Sequence, residues 1–116
     1  MFFTYRQNNT GGIFHVNDNI AHFVIIEAES EEASDIKAKN IGLYFDGFND
    51  CECCGARWVS MRYCGESGTT KPSAYGKSIK DFLLEKNSSV YEARIHYKNG
   101  KVEKLPDNAN KLLARE

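Results

Sequence analysis

The chain has 116 residues, 41% of them hydrophobic and 27% charged. That length suits one domain with a modest core, and the composition excludes a disordered chain. A net charge of −1 excludes the global basic footprint that drives nucleic-acid binding, and the longest apolar run, Phe23-Val24-Ile25-Ile26, is far too short to span a bilayer.

Residues 2–7 are aromatic and β-prone, and Asn8-Asn9-Thr10-Gly11-Gly12 supplies a turn, so residues 13–16 are predicted to return as the second arm of a hairpin. Asn17-Asp18-Asn19 is a further turn. Residues 22–28 are apolar nearly throughout and predict a central strand. Ser30 is a candidate N-cap for a helix over residues 31–41, with Glu31 and Glu32 in its first turn and Gly42 as its stop. Ala33 and Ile36, with Asn40 or Ile41, form its expected inward stripe.

Residues 57–63 alternate Val59, Met61 and Tyr63 against Trp58, Ser60 and Arg62, the pattern of a strand with one buried face. Residues 65–77 are polar and contain Gly, Ser, Thr and Pro72, so they predict a mobile loop. Ile79, Phe82 and Leu83 recur at helical spacing behind Ser78. Residues 90–97 alternate as a strand, Asn99-Gly100 is a hairpin signal, residues 101–105 return, and Leu112 and Leu113 mark a short terminal helix. The expected fold is a single α+β domain over residues 1–116. It has a mostly antiparallel sheet of five to six strands, with two to three short helices on one face.

Three of the four cysteines, Cys51, Cys53 and Cys54, fall within four positions, and Cys64 follows. The N-terminus lacks the basic and apolar regions of a secretory signal, so reduced thiols are expected. The Cys51-x-x-Cys54-Gly55 spacing lets two sulfurs converge on one zinc ion, with Cys64 and one of Cys53, His15, His22 or His96 completing four ligands. The other readings are buried free thiols, or a redox dithiol activated by Arg57.

Tyr5-Arg6-Gln7-Asn8-Asn9 gathers a ring, a guanidinium and three amides, groups able to hold a phosphate or a base edge; a strand end running into a turn is the plainer reading. Arg57-Trp58 offers a cation beside a stacking ring if Trp58 faces solvent, and a core anchor if it does not. His96 with Glu92 and Arg94 could serve acid–base chemistry or form a cross-strand ionic face. Gly65-Glu66-Ser67-Gly68-Thr69-Thr70-Lys71 lacks the spacing of a phosphate loop and is rejected as one. No catalytic constellation is complete.

The stretches Tyr5-Arg6-Gln7-Asn8-Asn9-Thr10-Gly11-Gly12, Ile25-Ile26-Glu27-Ala28-Glu29-Ser30, Tyr44-Phe45-Asp46-Gly47 and Cys51-x-Cys53-Cys54-Gly55-x-Arg57-Trp58 resemble a group of small uncharacterised proteins of tailed bacteriophages. The resemblance covers the first half of the chain. It implies a phage accessory protein in the cytoplasm of a bacterial host, and it carries no activity. Three functional expectations follow. The first is a non-enzymatic, zinc-stabilised binding module that engages a host or defence protein or a nucleotide through Tyr5, Arg6, Gln7, Asn8, Asn9, Arg57 and Trp58. The second is a small hydrolase with a cysteine-held metal, or with Cys54 as nucleophile and His96 as base. The third is a minor virion or assembly protein held by self-association.

Overall fold

A computed structural model of the protein describes residues 1–8, 14–45, 57–61, 68–85 and 91–105. In chain order the elements are β1 (Phe2–Arg6), β2 (Phe23–Glu27), α1 (Glu31–Asn40), β3 (Ser73–Ala74), β4 (Lys77–Ser78), α2 (Ile79–Glu85), β5 (Ala93–His96) and β6 (Val102–Leu105). Among the described residues, four strands form a mixed sheet in the order β1-β2-β5-β6, and β3 and β4 form a separate pair. The fold is α+β, as expected, but among the described residues the main sheet has four strands rather than five or six. Its central β2–β5 pairing is parallel, with Phe23 opposite Ala93, while β1–β2 and β5–β6 are antiparallel.

β2 reads as a continuous apolar run because both of its faces are covered. Val24 and Ile26 point the same way as Phe3 and Tyr5 of β1 and pack with Ala38, Leu43, Trp58 and Met61. Phe23 and Ile25 point the other way and pack with Ala93, Ile95, Ile79, Phe82 and Leu83. The helices therefore lie on opposite faces, which corrects the expectation of one helical face. Two parallel neighbours need a crossover, and here it wraps around the sheet. α1 and residues 57–61 cover the first face. Thr69 then pairs with Phe2 at the outer edge of β1, the Thr4 hydroxyl donates to the Ser73 carbonyl at 2.7 Å, and α2 covers the second face.

The signals that terminate α1 behave as expected. Ser30 Oγ accepts the Ala33 N–H at 3.1 Å, and Gly42 adopts φ +115° where the chain leaves the helix. Of its expected inward stripe, Ile41 packs against the core, but Ala33 and Ile36 do not face inward. Ser34, Asp35 and Ala38 are buried, whereas Ile36 is 57% exposed. The inward face is polar because it is satisfied across the core. The Tyr5 hydroxyl donates to Asp35 Oδ1 at 2.7 Å and shares a 2.8 Å hydrogen bond with Ser34 Oγ, and the Met61 N–H donates to the same carboxylate oxygen at 2.9 Å.

Other expectations are also corrected. Residues 14–16 form no strand; β1 pairs with β2 instead. Residues 57–61 are not a strand either. Trp58 and Met61 are buried and Val59 is 37% exposed, so the inward spacing is three rather than two. Within the expected mobile loop, Ser73 pairs with Ser78 and Ala74 with Lys77, a hairpin closed by Tyr75-Gly76. Arg94 and His96 are buried and turned to the 17–20 loop: Arg94 Nε donates to the Asn17 carbonyl at 3.0 Å, and His96 Nε2 lies 2.8 Å from the Asn19 carbonyl. The terminal helix expected around Leu112 and Leu113 falls outside the described residues.

Candidate functional site

Six aromatic rings make one connected series on the second face of the sheet. Phe14 packs against His22 at 4.5 Å between centroids, and His22 meets Tyr91 edge-on at 5.4 Å. Tyr91 meets Phe23 at 6.5 Å, Phe23 meets Phe82 at 5.2 Å, and Phe82 meets Tyr75 at 5.2 Å. These separations are those of favourable aromatic pairs. The middle of the series, Phe23 and Phe82, is buried, while its ends are open: Phe14 is 39% exposed and Tyr75 62%. The rings line a concave pocket of about 720 Å³.

The polar lining comes from the end of β1 and from β4. The Arg6 guanidinium lies 4.6 Å above the Tyr75 ring, and Gln7, Asn8 and Lys77 line the same cavity. Strand alternation explains why Arg6 is here and Tyr5 is not: Arg6 stands opposite Phe23 on this face, and Tyr5 opposite Val24 on the other. Among the described residues that line the pocket, the cations are Arg6 and Lys77, and none is a carboxylate.

His22 supplies a ring rather than a charge. Its Nδ1 accepts the Glu92 N–H at 3.1 Å, which places the proton of the neutral ring on Nε2. Burial lowers its proton affinity below the ordinary histidine value; the Glu92 carboxylate partly opposes this and Arg94 adds to it.

Of the residues expected to bind a ligand, Arg6, Gln7 and Asn8 come together at this pocket. Gln7 is also a brace. Its Nε2 donates to the carbonyls of His15 and Ala21 at 3.0 and 2.8 Å, and its Oε1 accepts from the His15 N–H at 2.7 Å and from Arg57 at 3.1 Å. Arg57 is buried behind it and also donates to the Tyr44 hydroxyl at 3.2 Å. Tyr5 and Trp58 belong to the core of the first face, which corrects their assignment to a binding surface.

Asn9 lies outside the described residues, as do the expected zinc ligands Cys51, Cys53, Cys54 and Cys64. Among the described residues, no group of three or more His, Cys, Asp or Glu gathers in the manner of a metal site, and no helix is long and apolar enough to cross a membrane.

Sequence reasoning missed Phe14, Tyr75, Lys77, Phe82 and Tyr91, and singled out His22 only as a candidate zinc ligand. They are spread over residues 14–91, and only the wrapped crossover brings them together. The one local signal was Tyr75-Gly76, an Xaa-Gly pair, and the Ser73-Ala74 and Lys77-Ser78 that flank it have no β preference to support it.

The chain belongs to the family described as a domain of unknown function, DUF7296, whose model matches residues 1–114. No curated protein matches the chain, and no solved structure matches it.

Proposed function

From membership of a family that assigns no activity, we propose that the chain is a non-enzymatic binding module whose pocket takes a nucleotide, a flat ring joined to a phosphate. The observation that carries this reading is the exposed Tyr75 ring under the Arg6 guanidinium at 4.6 Å, with Lys77 on the same cavity. A ring platform suits a base, and cations on the same cavity suit a phosphate. A cavity of about 720 Å³ is of small-ligand size, within the roughly 300–1,000 Å³ range of such pockets, and favours a small ligand over a flat protein surface.

In the setting that the phage resemblance implies, such a module withdraws a nucleotide from a host or defence enzyme. Zinc bound by the cysteine cluster would stabilise the fold, and metal analysis of the purified protein tests that part separately. The hydrolase reading gains less support, because His96 Nε2 is occupied with the Asn19 carbonyl.

The test is calorimetric titration with nucleoside mono-, di- and triphosphates, and with inorganic phosphate as control. The expected result is binding of at least one nucleotide, weakened about tenfold or more in Lys77→Ala and Arg6→Ala, since a hydrogen bond to a charged group contributes about 1.5–3 kcal/mol. No heat from any nucleotide at millimolar concentration, with the protein folded, overturns the reading.

A further inference from the structure

We infer that Tyr75 is the specificity residue of this pocket, placed to stack a nucleobase, so that the ligand is a base-bearing phosphate rather than a sugar phosphate. This rests on the reading above and deepens it. β3 and β4 are joined by only two residues, Tyr75 and Gly76, with φ of +53° and +80°. Positive φ at both positions is what a tight hairpin of this kind needs, and Asn, Asp or Gly normally supplies the first of them. Tyr75 is the one non-glycine residue with positive φ among those described. A bulky side chain in that region is strained.

Packing against Phe82, Phe23 and Arg6 accounts for only part of a tyrosine there, because the residue remains 62% exposed. What the conformation achieves is placement. It carries the ring from the hairpin tip to the open end of the aromatic series, 5.2 Å from Phe82 and 6.3 Å from Phe23, beneath Arg6. A base has a π-face to lay on such a platform, and a sugar phosphate has none.

The experiment titrates the wild type, Tyr75→Asn and Tyr75→Phe with adenosine, guanosine, cytidine and uridine 5′-monophosphates and with ribose 5-phosphate, and records each protein's thermal midpoint without ligand. The wild type is expected to prefer at least one nucleoside monophosphate over ribose 5-phosphate by about tenfold or more, the scale of one base–aromatic stack. Tyr75→Phe keeps that preference. Tyr75→Asn loses it, while its midpoint holds or rises because the turn is relieved. If Tyr75→Asn binds like the wild type, or its midpoint falls, Tyr75 is not the specificity residue. If the wild type binds none of the probes and no nucleoside di- or triphosphate either, the nucleotide reading fails with it; if it binds ribose 5-phosphate as tightly as every nucleoside monophosphate, only the role of Tyr75 fails.

Discussion

The Tyr5 hydroxyl donates to the Asp35 carboxylate at 2.7 Å, joining the edge strand to the inward face of α1 across the core. Asp35 is buried, and its Oδ1 also accepts the Met61 N–H at 2.9 Å. Three segments far apart in sequence therefore converge on one oxygen. Tyr5→Phe keeps the ring and removes one donor from a buried carboxylate. The expected loss is about 1–3 kcal/mol in urea unfolding, with ligand affinity unchanged because Tyr5 faces away from the pocket. A variant of unaltered stability with weakened nucleotide binding would return Tyr5 to the binding surface.

Gln7 should behave differently, because it serves both stability and the site. Gln7→Ala removes the pairing of the His15 backbone and one partner of buried Arg57. A loss of roughly 2 kcal/mol or more is expected, since buried polar groups are left unsatisfied. Phe14, next to His15, loses its anchor in the same step, so affinity falls too. Retained affinity in a destabilised Gln7→Ala would show that Phe14 needs no such brace.

Ile36→Lys is expected to be nearly silent, within about 0.5 kcal/mol, because the side chain is on the outer face of α1. A loss of several kcal/mol in chemical denaturation would restore the apolar stripe inferred from spacing alone.

Acid should weaken the fold through its buried histidines. Burial pushes both His22 and His96 below the ordinary value of 6.5; for His96 the Asn19 carbonyl opposes this, and Lys37 and Arg94 add to it. The unfolded chain therefore takes up protons first as pH falls. This contribution is fully present above the unfolded value of about 6.5 and is lost as pH falls from there through the lower folded values. Urea midpoints measured from about pH 7.5 to about pH 5 should decline, and His96→Gln, whose amide can still donate to Asn19, should flatten the slope. An identical slope in that variant would remove His96 from the account.

What the sequence made legible was local chemistry. Ser30, the acidic first turn and Gly42 place α1 through hydrogen bonds made within a few residues. Asn99-Gly100 places the last hairpin for the same reason, with Gly100 at φ +92°. The misses are all long-range. Asp35 is inward only because Tyr5 and the Met61 backbone meet it. Arg94 and His96 are buried only because the 17–20 loop lies over them. The segment after Gly65 was polar enough to predict a loop, and its short hairpin owes its place to the edge of β1. Of the candidate site, Arg6, Gln7 and Asn8 were visible as neighbours in sequence. The rings that give them a cavity were not, because periodicity says nothing about which distant segments share a face.

The parallel pairing of Phe23 with Ala93 also sets the order in which the protein can be built. A ribosome must deliver about seventy further residues after β2 before that strand meets its inner neighbour, so the nascent chain carries a strongly apolar strand covered on one side only. Closure of so long a loop is entropically slow, and folding should be late and concerted rather than progressive. The pocket inherits this timing. Arg6 and Phe14 come from the first stretch of chain and Tyr75 and Tyr91 from the last, so binding capacity arises in a single step, when the sheet closes.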